Sequence, residues 1–349
     1  MPDLTAFLDC AHNLVGLTIV DGWKATEKIQ KSAASTGGHF SVGYIVEKAG
    51  HPKAFMKVLD LTKALSMSGD QLSNIQDLIS QFTFERDALK ICGEFKLKRI
   101  ASAIADGKMD ISGNPFGVYY IIFEMADGDV RNHLKKMKPI DYAWMLRGIH
   151  QVAAGLAQLH SKDIAHQDLK PSNVLVFAHN LIKIGDLGCA DIKGRMSPRG
   201  HYKIAGDRSY APPELLYSET PTDWRKRRLG TDMYLFGSLI TFLFAQATMT
   251  AAIKQKLHPM HRPGFWPHDF RTALPYVRNA FGKVMADIKA ALPDEFREDL
   301  YLAILQLCDP DPNLRGHPDN LNISQHSFER YVSLFNKLAK RAEIGAKRK

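Results

Sequence analysis

Asp168, Lys170 and Asn173 fall within six positions of one another in AHQDLKPSNVLV, residues 165–176, and Asp186 follows thirteen residues after Asn173. A carboxylate and an amide oxygen on two loops that flank strands can converge on a hard cation such as Mg²⁺, which prefers oxygen ligands. Asp186 and Asn173 are the candidates for that role. Asp168 is then free to orient an attacking hydroxyl, and Lys170 to neutralise charge on a phosphoryl group in flight. Phosphoryl transfer asks for this equipment, because its catalysis is mainly positioning and charge stabilisation.

Such groups need rigid supports on both sides. Apolar positions Leu146, Ile149, Val152, Leu156 and Leu159 recur at helical spacing, so a helix runs up to about Ser161 and delivers the loop that carries Asp168. The short runs VLVF (174–177) and LIKIGD (181–186) read as strands after it. Upstream, HFSVGYIV and AFMKVL read as two strands joined by a Lys-Ala-Gly-His-Pro turn, residues 71–91 as a helix, and VYYIIFEM (118–125) as a further strand. From about residue 186 on, the texture is mostly helical. Strands first and helices later, with a polar joint at 126–129, predict an α+β chain: a small β-rich lobe hinged to a larger helical one.

Bulk properties agree with that size. The 349 residues are 45% hydrophobic, enough for two lobes with their own cores. A net charge of +9 favours anionic partners, whether phosphate-rich ligands, acidic proteins or nucleic acid. Cys10, Cys92, Cys189 and Cys308 are scattered without a C-x-x-C pair, which argues against a disulfide framework or a zinc site and suits a reducing, cytoplasmic setting. The start MPDLTAFLDC lacks the basic and apolar pattern of a secretory signal. MYLFGSLITFLFA, 13 residues at 233–245, is too short to span a bilayer and reads as a buried helix. The basic runs lack interleaved aromatics, so nucleic acid is not expected as a partner.

Several motifs, in order, resemble the eukaryotic-like protein kinase family. HQDLKPSN matches the catalytic loop H-R-D-L-K-x-x-N at every position except the arginine, and GDLG (185–188) matches the Asp-Phe-Gly motif with Leu187 for phenylalanine. YAPPELL, ending its match at Glu214, resembles the Ala-Pro-Glu segment, DMYLFG the buried D-x-W-x-x-G helix, and DPDPNLRG supplies Arg315, the family's partner for that glutamate. The resemblance covers roughly residues 30–320 and implies a bilobal kinase fold. It implies residues 28–125 as the small lobe and 126–336 as the large one, after an extension at 1–27 and before a basic tail at 337–349. It also implies roles for the residues. Lys57 would hold the α- and β-phosphates of ATP, unless it is only a solvated strand lysine. Glu85 or Asp87 would be its helix partner, with Glu85 preferred. Gly38 would be the middle glycine of a degenerate phosphate loop, STGGHFSV. Phe123 would stand at the back of the nucleotide pocket, the backbone at Glu124 and Met125 would meet adenine, and Asp129 would be either a ribose ligand or a surface acid.

The resemblance implies an enzyme that transfers the γ-phosphoryl of ATP, with Mg²⁺, to serine or threonine of protein substrates. Asp168 would be its base and Lys170 its charge stabiliser. Two departures leave rivals open. Gln167 replaces the arginine that in the family grips a phosphorylated activation loop, so control by loop phosphorylation is less expected. Asp207 replaces a threonine and would bring a like charge near Asp168, unless Ser209 serves instead. The degenerate loop and Asp207 keep a pseudokinase in play, and a small-molecule phosphotransferase on the same fold is the other rival. The basic stretch Lys193, Arg195, Arg199, Lys203 and Arg208 is either a solvated loop or an attraction for acidic substrates.

Overall fold

The computed structural model describes residues 9–30, 40–111 and 114–347. The small lobe is built on an antiparallel sheet of β1 (Lys24–Lys28), β2 (Ser41–Glu47), β3 (Ala54–Leu59), β4 (Ala103–Met109) and β5 (Val118–Glu124), in the order β1-β2-β3-β5-β4. Helix α1 (Gln71–Glu94) lies between β3 and β4 in sequence and starts at Asp70, whose carboxylate accepts the Ser73 amide at 2.7 Å.

Alternation along the strands gives this sheet two faces. Val42, Tyr44, Met56, Val58, Tyr120 and Ile122 point to one face and form a small core with Ala11, Leu14 and Trp23. Phe55, Lys57 and Leu59 point to the other, toward the cleft and α1. β1 begins at Lys24, inside the stretch expected as an extension, and Ala11, Leu14 and Trp23 from the described residues before it join this core. Tyr44 Oη donates to the Ala11 carbonyl at 2.7 Å, which satisfies the one polar group of an otherwise buried ring.

Beyond the joint the chain forms β6 (Gly128–Asp129), α2 (Val130–Lys136), α3 (Tyr142–His160), β7 (Ile164–Ala165), β8 (Val174–Phe177), β9 (Leu181–Ile184) and β10 (Asp191–Ile192). The helices α4 (Pro213–Leu216), α5 (Gly230–Ala245), α6 (Met249–Lys256), α7 (Phe270–Ala291), α8 (Arg297–Leu307) and α9 (Glu329–Ala346) complete the large lobe. The expected helix at 233–245 is α5, buried nearly all round. No single helix among the described residues is long and apolar enough to cross a membrane. Helix α9 runs on through the basic stretch that starts at residue 337, as far as Ala346. It buries Phe335, Leu338, Ala339 and Ala342, and Glu343 takes a fork of two hydrogen bonds from Arg147 of α3 at 2.8 and 2.9 Å.

Arg315 and Glu214 meet in the core of the large lobe. The guanidinium donates to both carboxylate oxygens at 2.7 and 2.8 Å, to the Gly230 carbonyl at 3.2 Å and to the Asp309 carbonyl at 3.1 Å. Neither side chain is more than 2% exposed, so removing one leaves the other charged and dry. Arg315→Ala should cost roughly 3–5 kcal/mol of stability. Arg208→Ala, on the exposed segment, should stay within about 0.5 kcal/mol. Urea unfolding of the two variants side by side checks this, and equal midpoints would show that the pair does not tie the segment to the lobe.

Candidate active site

Lys57 projects from β3 into the cleft between the lobes. Its ammonium lies 2.7 and 2.9 Å from the two carboxylate oxygens of Glu85 on α1, and 3.0 Å from Oδ1 of Asp186 beyond β9. Asp87, the alternative partner, turns away to Arg86 at 2.8 Å. Burial by itself would lower the Lys57 pKa, but the charges of Asp186 and Glu85 outweigh it and hold the lysine above its ordinary value. The same lysine charge depresses Asp186 to about 2, so that carboxylate is ionised at neutral pH. Burial acts the other way on Glu85 and raises it.

The catalytic loop is fixed from below by Asp232 of α5, which is fully buried. Its oxygens accept the amides of His166 and Gln167, both at 2.8 Å, and lie 2.9 Å from the His160 ring. His166 Nδ1 accepts the Asp168 amide at 3.2 Å, which leaves the proton on Nε2, 3.0 Å from the Gly185 carbonyl. Gln167 and Asp186 both have left-handed backbones, at φ 66° and 60°. Each such residue stores roughly 1–3 kcal/mol of strain and persists only where its surroundings over-determine it. Here those surroundings are Asp232 and Lys57.

On top of that loop, Asp168 is held through both oxygens. Lys170 Nζ lies 2.9 Å from Oδ2, and the Asp207 amide donates to Oδ1 at 2.9 Å. Burial by itself would lower the Lys170 pKa, but the charge and hydrogen bond of Asp168, with the charges of Asp207 and Asp186, together raise it. Asp207 and Ser209, posed as alternatives by the sequence, act together: the Asp207 carboxylate lies 3.6 Å from Lys170 and accepts both the amide and the hydroxyl of Ser209, at 2.9 and 2.7 Å. Those bonds lower the Asp207 pKa in spite of burial, so the like charges coexist across one lysine. Gly206 allows this approach, since a Cβ there would stand 2.3 Å from the Gln167 carbonyl.

Asn173 donates its amide to the Asp168 carbonyl at 2.8 Å and to Oδ2 at 3.1 Å, which turns its own oxygen the other way. The Gly185 amide donates to the Asn173 carbonyl at 2.8 Å and brings Asp186 alongside. One amide oxygen and one carboxylate fit Mg²⁺, which keeps several waters and takes its remaining ligands from phosphate oxygens. No cluster of three or more His, Cys, Asp or Glu suited to a metal occurs among the described residues. Phe40, Lys57, Glu85, Asp168, Asp186 and Asp207 all line one cavity of about 360 Å³.

The hinge residues are less simply disposed. Gly38 lies outside the described residues. The Glu124 amide donates to the Ser102 carbonyl at 3.2 Å and its carboxylate holds Lys183 at 2.6 Å, so that N–H already has a partner within the chain. Met125 is exposed. Asp129 caps α2, accepting the Asn132 amide at 2.9 Å and its side-chain nitrogen at 2.7 Å. Phe123 is buried, and its ring stands 6.2 Å from that of Phe55. Phe55 lies under Gly43 of β2, where a Cβ would meet the ring at 2.9 Å.

The segment from Gly188 to Glu214 is anchored without phosphate. Arg228, 2% exposed, pairs with Asp191 at 3.0 Å and donates to the Gly200 carbonyl at 3.0 Å. Gln167 donates to the Arg228 carbonyl at 2.8 Å. Burial pushes the Cys189 thiol up to about 12, as suits a packing residue rather than a redox switch.

With this geometry the chain is a protein kinase domain. It belongs to the protein kinase domain family, which it matches over residues 66–328. Among similar proteins are an Aurora kinase of Debaryomyces hansenii, 36% identical over 29% of this chain and 24% of its own length. Mitogen-activated protein kinase 4 of rice, Oryza sativa subsp. japonica, is 33% identical over 41% of this chain and 40% of its own. The probable serine/threonine-protein kinase kinX of Dictyostelium discoideum is 27% identical over 60% of this chain and 16% of its own. The chain thus spans less than half the length of these curated relatives. Lys57 precedes the matched span, so its assignment rests on geometry. Sequence reasoning missed the roles of Gly206, Arg228 and Arg199. Only Gly206, beside the anomalous Asp207, left any signal.

Because Gln167 carries no charge and Arg228 already holds the segment, removing phosphate should leave residues 189–211 ordered. Hydrogen exchange before and after phosphatase treatment measures this. Faster exchange across the segment after treatment would mean that a phosphate, not Arg228, holds it.

Proposed function

We propose that this chain transfers the γ-phosphoryl group of ATP, as its Mg²⁺ complex, to serine or threonine hydroxyls of protein substrates. The observation that carries the reading is the convergence of Lys57, Glu85 and Asp186 on one wall of the cleft with Asp168, Lys170 and Asn173 on the other. Lys170, two residues after Asp168, resembles the serine/threonine branch of the family. The names of the relatives point the same way.

Each residue then has a task. Lys57, held by Glu85, neutralises phosphate oxygens of the bound nucleotide. Asp186 and Asn173 would hold Mg²⁺, which when bound supplies positive charge to the phosphates. Asp168, with Oδ2 held by Lys170 and Asn173 and Oδ1 by the Asp207 amide alone, accepts a hydrogen bond from the acceptor hydroxyl, orients it and takes its proton. Lys170 compensates charge at the transferred group and keeps Asp168 and Asp207 compatible. The exposed Lys193, Arg195, Lys203 and Arg208 give the mouth a positive surface that favours acidic sequence around the acceptor. Four unpaired cysteines support a reducing, cytoplasmic setting.

Asp168→Asn should cut turnover by roughly 10²–10⁴, the range for a positioned base, with little change in ATP affinity. Asp186→Asn and Lys57→Ala should impair both nucleotide binding and turnover, because both act on the phosphates. The comparison needs equilibrium MgATP binding and labelled-phosphate transfer to protein and small-molecule acceptors. Near-parental turnover in folded Asp168→Asn would remove the catalytic assignment. A folded parent that binds MgATP yet phosphorylates nothing would replace the enzyme with a nucleotide-binding protein.

A further inference from the structure

Gln81 stands one helical turn before Glu85, on the same side of α1. Its side-chain oxygen accepts two hydrogen bonds from a single guanidinium: Arg199 Nε at 3.1 Å and Nη2 at 2.7 Å. The remaining arm, Nη1, donates to the Ala205 carbonyl at 3.0 Å. Ala205 precedes Gly206 and Asp207, and it is the Asp207 amide that holds Asp168 Oδ1. One side chain therefore joins the helix that carries Glu85 to the strand of chain that fixes Asp168. Among the described residues no carboxylate lies within ion-pair distance of Arg199, so its fork is spent on these two carbonyl-type oxygens.

Arg199 reaches them from a prepared position. Its amide donates to the Ser197 hydroxyl at 3.3 Å, and buried Ser197 in turn lies 3.4 Å from the Ala190 carbonyl. The next residue, Gly200, is gripped through its carbonyl by Arg227 and Arg228, at 3.2 and 3.0 Å. Gln81 and Arg199 both line the cleft cavity beside Glu85. The Arg199 charge also favours the ionised form of Glu85. A planar guanidinium makes this bridge with fixed geometry, which a lysine ammonium does not reproduce.

We propose that Arg199 is a positioning residue that couples α1 to the Asp168-binding segment and so sets Glu85 against Lys57 in the unphosphorylated chain. The proposal rests on the functional reading above only where turnover is measured. In physical terms, α1 can swing away from the sheet only by orphaning a forked, charged donor in a partly dry cleft.

The test compares the parent with Arg199→Ala, Arg199→Lys, Gln81→Ala, Gln81→Glu and the Arg199→Ala/Gln81→Ala double variant. Two properties are measured without catalysis: hydrogen exchange of the α1 amides and equilibrium binding of MgATP. Turnover is measured alongside. Arg199→Ala should speed exchange around residues 78–90 and weaken MgATP binding roughly tenfold, the scale of one hydrogen bond to a charged group. Gln81→Ala should do the same, and the double variant should be no worse than either single change. Arg199→Lys should recover only part of the effect, whereas Gln81→Glu, which keeps the acceptor, should behave as the parent. Unchanged exchange and binding in Arg199→Ala would overturn the proposal, and so would additive losses in the double variant. If Arg199→Ala does not fold, Gln81→Ala decides by the same two measurements. A parent without transfer activity would end the enzyme reading, while the exchange and binding data would still judge the coupling.

Discussion

A carboxylate with no access to water, Asp232, is the constraint on which the cleft depends. Burying that charge is costly unless every lone pair is met, and the amides of His166 and Gln167, the Gln167 side chain and the His160 ring meet them. Those donors belong to the catalytic loop and to the helix that delivers it. The loop is thereby nailed to α5 at its root, and Gln167 is kept in a left-handed conformation that the residue would not hold by itself. Everything above the root, from Asp168 to Asn173, inherits that rigidity.

From this base the site is assembled by shared partners rather than by separate contacts. Asp186 answers to Lys57 from the small lobe and to Gly188 from its own turn. Lys170 answers to two carboxylates at once. Asp168 has one oxygen claimed by Lys170 and the Asn173 amide and the other by the Asp207 amide, which leaves it oriented and still able to accept one more hydrogen bond. Such pre-set dipoles need little reorganisation when charge develops, which is where electrostatic catalysis gains most. The substitution of Asp207 for a neutral residue fits within this arrangement because Ser209 and Lys170 absorb its charge.

Much of the fold was legible because apolar periodicity and burial coincide. β3 runs over AFMKVL as the alternation predicts, and α1 and α3 follow their stripes. β4, AIADGKM, went unseen for a physical reason: it is an edge strand with no fully buried residue, and it carries no apolar alternation. β1, KATEK, is likewise polar and is recruited by pairing with β2. In the site, the residues that contact each other through short-range motif spacing were readable, namely Asp168, Lys170, Asn173 and Asp186. Glu85 was separable from Asp87 only by helix phase. Arg199 and Gln81 are 118 positions apart and of unremarkable type, so nothing but the folded chain brings them to notice.

The segment over the outer face of the small lobe bears on where the chain can be cut. Family similarity starts at residue 66, yet three of the five strands of the sheet, and Lys57 with them, lie before it. Trp23, Leu14 and Ala11 roof the face formed by Tyr44, Met56 and Val58, and a fragment trimmed to the region of similarity would lose both that roof and Lys57. Trimming only to the start of β2 would keep the lysine but leave that apolar face bare to water, inviting edge-to-edge and face-to-face association between molecules. The working unit of this kinase domain is thus longer at its amino end than sequence likeness marks out.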